Sequence, residues 1–112
     1  KMLARKHRLS KKEVDIVMDS GVICHKSASF LVKNLENTTD LSRWAIIIPK
    51  KAEKSSVKRH LLKRKISVKV KENLPFAPKQ DFCLLLRSNK EEEIIGDLDF
   101  FFKKISNSHN FL

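Results

Sequence analysis

The chain has 112 residues, with 24 Lys or Arg against 13 Asp or Glu and a formal net charge of +11. That length makes one domain, and an apolar share of 41% can fill a core, which excludes global disorder. Apolar runs of only a few residues exclude a membrane-spanning helix, and no signal-peptide pattern opens the chain.

Residues 1–12 carry six cations (Lys1, Arg5, Lys6, Arg8, Lys11, Lys12), and residues 1–9 read as a solvated, flexible arm. Ser10 then caps a short helix, with Glu13 three residues later completing a capping box. Val14, Val17 and Met18 recur at helical spacing as core positions, and Gly21 supplies the stop. Residues 22–35 read as extended, centred on Phe30, Leu31 and Val32, with a short extra strand near residues 22–24. A polar turn follows over residues 34–40. The run RWAIII, residues 43–48, predicts an interior strand closed by Pro49, with Trp44 as core or sheet cover. Two lone cysteines, Cys24 and Cys83, form no metal-spaced pair; they read as buried free thiols in a reducing, cytoplasmic setting.

Residues 50–71, KKAEKSSVKRHLLKRKISVKVK, hold ten Lys or Arg against one acid, Glu53. Charge at that density repels itself, and a polyanion as the usual neighbour relieves the repulsion. Ser55 and Ser56 are N-cap candidates, and neither Pro nor Gly interrupts residues 52–74. At about 100° per residue, Arg59, His60, Lys63, Arg64 and Ser67 fall on one side, with Leu62 and Ile66 toward a neighbouring, sheet-facing side. Two features oppose a clean helix. Residues 66–71 alternate like a strand, and Lys65 and Lys69 sit near the side to be buried.

Residues 73–80, with Pro75 and Pro78, form a loop, and DFCLLLR at 81–87 predicts a strand covered on both faces. In the last helix Ser88 or Asn89 is the cap, and Glu91, Glu92 and Glu93 sit at the positive end of the dipole. Lys103 and Lys104 sit at the negative end. Ile94, Leu98, Phe101 and Ile105 make its apolar stripe, widened by Ile95 and Phe102. Gly96 within it marks close packing, and residues 106–112 form a loose tail. The order α-β-β-α-β-α describes an α+β single domain.

A protein nuclease needs clustered carboxylates for metals, or paired histidines for acid–base work. The acids here are scattered, and His7, His25, His60 and His109 have no ligand spacing, so each reads as a surface or polyanion-facing side chain. A self-sufficient enzyme is therefore not expected.

The run KKAEKSSVKRHLLKRKI resembles the signature of the bacterial ribonuclease P protein. In that family a Lys-Lys pair ends a strand, and a helix then opens with Ala-Val-x-Arg-Asn, followed by Lys-Arg and a further Arg one turn on. Lys50 and Lys51 match the pair, Val57 the Val, Arg59 the first Arg, and Lys63 and Arg64 the Lys-Arg. The departures are Ser56, His60 and Ser67, for Ala, Asn and the last Arg. Lys6-His7-Arg8-Leu9, the Arg43 strand, Asp81-Phe82 and Phe101-Phe102-Lys103-Lys104 extend the likeness in order along the chain.

The resemblance implies a central sheet of about four strands, as in a small ribosomal-protein domain. It also implies a left-handed β-α-β crossover through the basic helix, against the usual rule of hand. It further implies a monomeric, non-catalytic subunit of a ribonucleoprotein endonuclease. There the RNA subunit holds Mg²⁺ and removes the 5′ leader of precursor tRNA, while the protein binds that RNA and the leader. On this reading Lys50, Lys51, Lys54, Lys58, Arg59, His60, Lys63 and Arg64 contact RNA. Ser67 takes the position where an Arg charge is lost. Val14 and Met18 stand where the family carries two Phe, and face the leader groove with Phe30, Lys33 and Arg87. Without those rings, base stacking should weaken by about 1–3 kcal/mol per lost partner. A non-catalytic RNA-binding module such as a small ribosomal protein explains charge, size and fold, but not the ordered motif. A membrane-surface protein would need an exposed amphipathic stripe, whereas the apolar residues here are committed to a core.

Overall fold

Two neighbouring apolar runs fold back on each other to begin the sheet. Strand β1, Val22–Lys26, and strand β2, Phe30–Glu36, form an antiparallel hairpin. Ser27 closes its turn, its Oγ accepting from Ser29 N at 3.1 Å and Phe30 N at 3.2 Å. The extra strand expected near residues 22–24 is therefore β1, and β2 extends into the expected polar turn. Asn34 is buried there and its Nδ2 donates to Gln80 Oε1 at 2.6 Å.

Strand β3, Arg43–Ile47, and strand β4, Gln80–Leu86, complete the sheet in the order β1-β2-β4-β3. β4 is antiparallel to β2 and parallel to β3, so it is an interior strand, as is β2. β3 lies at an edge, contrary to expectation. Its apolar run is explained by cover from elsewhere: Trp44 and Ile46 enter the core, and the N-terminal segment lies along its outer edge. The structure is a computed structural model and describes residues 3–106. Residues 1–2 and 107–112, including Lys1 and His109, lie outside the described residues.

Alternation along β4 sorts the two faces of the sheet. Phe82, Leu84 and Leu86 join Phe30, Val32, Trp44 and Ile46 beneath two helices, α2 (Ser56–Asn73) and α3 (Glu91–Ser106). Trp44 stacks on Phe82 with ring centroids 4.4 Å apart, and Phe101 stands edge-on to Trp44 at 6.3 Å. The opposite face carries helix α1, Lys11–Ser20, against β2 and β4. The Ser10–Glu13 capping box forms as predicted, and Val17 is buried. Gly21 is required by close approach, since a Cβ there would meet the Val17 carbonyl oxygen at 2.4 Å.

α2 overrides the strand-like alternation of residues 66–71. Ile66 and Val70, one turn apart, are both fully buried, while Val68, which a strand would place on the same face, is 37% exposed. Asn73 Nδ2 donates to the Lys69 carbonyl at 2.8 Å near the end of the helix. α3 departs from expectation twice. Lys90, rather than Ser88 or Asn89, directly precedes its first turn and accepts from Ile94 N at 3.0 Å. Gly96 is exposed, with nothing within 4 Å of an added Cβ, so it marks no close contact. Gly96→Ala is therefore expected to stabilise the domain by up to about 1 kcal/mol, read as a raised urea midpoint at unchanged slope.

The N-terminal segment is docked, not loose. Leu3 is 6% exposed within the core, and residues Arg5–His7 make a single 3₁₀ turn. His7 Nδ1 donates to the Ser42 carbonyl at 2.8 Å, and Leu9 N to the Trp44 carbonyl at 3.0 Å. Burial of one leucine supplies the driving force and β3 supplies the register. Among the described residues, no helix is long and apolar enough to cross a membrane.

Candidate nucleic-acid interface

The cationic surface is built on α2 and the turn before it. Ser55 is the N-cap, its Oγ accepting from Lys58 N at 3.2 Å. Glu53, the one acid of the run, acts as a staple. One carboxylate oxygen accepts from Ser55 N at 3.0 Å, the other from Asn89 Nδ2 at 3.2 Å. The Ser55 amide above all, and then Asn89 and the nearby cations Lys58 and Arg59, hold its carboxyl below the usual carboxylate range. Arg59 turns back on the same loop, Nη1 donating to the carbonyls of Glu53 at 3.0 Å and Lys54 at 2.9 Å. The Lys50–Lys54 turn is thereby given a defined shape.

Leu62, Ile66, Ser67 and Val70 form the buried side of α2. On the flank toward α3, Lys65 Nζ donates to Glu91 Oε2 at 2.6 Å and Lys69 Nζ to Asp99 Oδ1 at 3.0 Å. These two lysines are thus taken up in ion pairs, which resolves their awkward position in the sequence. On the other side Lys54, His60, Lys63 and Arg64 are exposed, and their side chains have no acid partner among the described residues. Lys50, Lys51 and Lys58 are exposed nearby.

Two of the sequence-derived contacts stand elsewhere. Ser67 is 1% exposed and belongs to the buried margin of α2, since the i, i+4 row through Lys63 dips inward one turn later. Phe30 is fully buried beneath α3, stacked on His25 at 4.8 Å and edge-on to Phe101 at 6.2 Å. β2 parity sends Phe30, Val32 and Asn34 to that side and Leu31 and Lys33 to the α1 side. The other groove residues stay on or near the α1 face. Val14 and Met18 are half-buried, and Lys33 Nζ donates to the Met18 carbonyl at 2.7 Å. Arg87 is exposed just past β4, its Nη1 donating to the Ser27 carbonyl at 2.9 Å. Beside it a hollow of about 340 Å³ is floored by Leu31 and Leu85 and flanked by Lys51.

Two polar networks were not legible in the sequence. Arg43 grips Asp81 through Nε at 2.8 Å and Nη2 at 2.9 Å, and Glu13 through Nη1 at 2.7 Å, tying β3 to β4 and α1. Hydrogen bonding to Asp81 raises the Arg43 pKa further, while the Ser10 amide chiefly, aided by Arg43, lowers that of Glu13. His25, read from sequence as a surface group, is 8% exposed, and its Nε2 donates to Asp97 Oδ2 at 3.1 Å. Ser27 Oγ donates to the same oxygen, so one carboxylate fastens the hairpin to α3. Because Ser27 and His25 share an acceptor and do not bond each other, they do not form a nucleophile–base pair. Burial pushes the Cys24 thiol up to about 11 and that of Cys83 to about 12, which keeps both protonated and unreactive at neutral pH. No group of three or more His, Cys, Asp or Glu suited to a metal ion occurs among the described residues.

These features define a small, basic α+β protein whose sheet backs a helix with an outward cationic side. The chain belongs to the ribonuclease P protein family, whose sequence model (Ribonuclease P) matches residues 3–106. Membership ties it to tRNA processing by ribonuclease P. Its fold is similar to that of a Staphylococcus aureus RNase P protein mutant with defective mRNA degradation activity. That match has 21% identity, covers 89% of this chain and 88% of that one, and has a TM-score of 0.78. The Staphylococcus aureus RNase P protein itself matches at 17% identity, over 94% and 96% of the two chains, with a TM-score of 0.74. The Thermotoga maritima RNase P protein matches at 18% identity over 98% and 99%, with a TM-score of 0.72. At such identities the structural likeness establishes the fold alone. A comparison with curated protein sequences finds no match.

Proposed function

We propose that this chain is the RNA-binding subunit of a cytoplasmic ribonuclease P, in which an RNA subunit carries the chemistry. The carrying observation is the outward side of α2 and the turn before it, where Lys54, His60, Lys63 and Arg64 have no acid partner among the described residues and where Lys63 and Arg64 match the family motif. Unpaired cations on a rigid element suit a phosphate backbone, because no internal ion pair has to be broken on binding. In this reading Lys50, Lys51 and Lys58 extend the field, and Arg59 holds the loop while its remaining guanidinium nitrogens face the RNA. The 5′ leader of precursor tRNA lies on the α1 side, over Val14, Met18, Lys33 and the hollow beside Lys51 and Arg87. Its contacts there are aliphatic and ionic.

Mg²⁺ in the assembled particle is held mainly by the RNA. The carboxylates of Glu13, Asp81, Glu53 and Asp97 are engaged in Arg43, Ser55 and His25 contacts, and the described residues hold no group of three or more His, Cys, Asp or Glu suited to a metal ion. The protein contributes by lowering repulsion between RNA subunit and leader, so less Mg²⁺ is needed. Reconstitution tests this directly. Adding the protein to the ribonuclease P RNA of its own source at low Mg²⁺ is expected to accelerate cleavage of a leader-bearing precursor tRNA. The gain should shrink when the leader is removed. Absence of any acceleration would overturn the assignment.

A further inference from the structure

Helix α3 turns one face to solvent that the fold leaves without a partner. Its flanks are taken: Asp97 reaches His25 on β1, and Asp99 reaches Lys69 on α2. Between those two directions, at about 100° per residue, lie Glu92, Glu93, Gly96, Phe100, Lys103 and Lys104, all of them exposed. Phe100 is 61% exposed, although Phe101 and Phe102 beside it are buried in the core.

One exposed ring is ordinary on a protein surface. Two further features sit next to this one. Gly96, one turn before Phe100, weakens the helix, yet within one chain nothing lies within 4 Å of a Cβ built there. The charges on the face are also sorted, with Glu92 and Glu93 at its start and Lys103 and Lys104 at its end. The helix dipole accounts for that order within one chain, and the same order makes the face complementary to itself when reversed.

We infer that this face of α3 is a self-docking surface, on which a second copy of the chain packs its own α3 antiparallel. With the two-fold axis at the level of Leu98, Phe100 lies on the second copy's Gly96, and the second copy's Phe100 on Gly96. A glycine there lets a ring approach the helix backbone, which explains a residue the isolated fold does not need. Glu92 and Glu93 come opposite the second copy's Lys104 and Lys103, and the contact repeats across the axis, as a closed two-fold pair requires. RNA is a poor occupant, because α3 carries five acids against two lysines. The contact also falls on the flank where Glu91 and Asp99 neutralise Lys65 and Lys69, so two copies of a chain of net charge +11 repel each other least there.

Sedimentation equilibrium of the full-length protein tests this, from about 10 μM to about 1 mM at about 0.15 M salt, where screening beyond about 8 Å suppresses long-range repulsion. A contact of this small size is expected to give a dimer half-formed at roughly 0.1–1 mM. Phe100→Ala, at an exposed position, should weaken association about tenfold or more. Gly96→Ala should weaken it several-fold while raising the urea midpoint of the dilute protein, so the dimer and the fold respond in opposite directions. Glu93→Lys and Lys103→Glu should each lose the dimer, and an equimolar mixture of the two should regain it, because opposite charges then face each other. Association untouched by Phe100→Ala, or a mixture that stays monomeric, would overturn the proposal. Monomers throughout the range would overturn it as well, and NOEs from the Phe100 ring to residues 107–112 in that monomer would give the face to the chain's own end.

Discussion

Arg43→Ala is expected to lower the unfolding free energy by about 3 kcal/mol, near the low end of the cost of stripping one partner from a buried ion pair. The Arg43 and Asp81 side chains are 18% and 8% exposed, so solvent cannot replace the lost guanidinium at the Asp81 carboxylate. The bidentate geometry adds to the loss, because two charge-assisted hydrogen bonds disappear together. Pairing Arg43→Met with Asp81→Asn should recover part of the stability by removing the stranded charge, although Asn37 Nδ2 still reaches position 81. Urea unfolding followed by Trp44 fluorescence measures both. A cost below about 1 kcal/mol for the single variant would mean that Arg43 is a surface contact.

Two hydrogen-bonded carboxylates, one of them in this network, set an acid limit. Glu13 and Glu53 both have folded pKa values below the ordinary 4.5, so each contributes stability that is present above that value. That contribution is lost as pH falls through their lower folded values. The urea midpoint should therefore drop below about pH 4.5. Glu13→Gln should flatten part of that limb.

The second large effect concerns the cations on α2 and the turn before it. Replacing Lys54, Lys63 and Arg64 together by glutamine is expected to weaken RNA binding by about 2–4 kcal/mol and to lower the slope of log affinity against log salt by about 2–3. Nothing in the fold depends on these three side chains, which are exposed and without acid partners among the described residues, so thermal stability should be unchanged or slightly raised. Arg59→Ala is a poorer probe, since it also releases the Glu53 and Lys54 carbonyls. An unchanged salt slope in the triple variant would place the RNA elsewhere on the surface.

Local grammar carried much of this architecture. The Ser10–Glu13 box, the Ser55 cap, the stripe of α3 and the buried run of β4 each follow from neighbours within a few residues, and each is found in place. What escaped depended on partners far along the chain. Phe30 and Lys33 were both assigned to the groove, although they lie on opposite faces of β2 and α3 covers the Phe30 side. His25 looked like a surface residue because Asp97 is 72 positions away. The segment holding Leu3 looked loose because its anchor is β3. α2 was hardest. Its buried side is polluted by Lys65 and Lys69 and its outer side carries Val57 at 68% exposed and Leu61 at 50% exposed, so periodicity alone could not separate helix from strand. Only the acids of α3 explain where the two lysines go.

Those acids have one more effect. By neutralising Lys65 and Lys69, Glu91 and Asp99 leave the molecule's positive potential lopsided, strong toward the N-terminal segment and faint toward α3. A polyanion drifting in from solution feels that imbalance before any contact forms. It is turned as it approaches, so collisions begin in the productive orientation more often than chance allows.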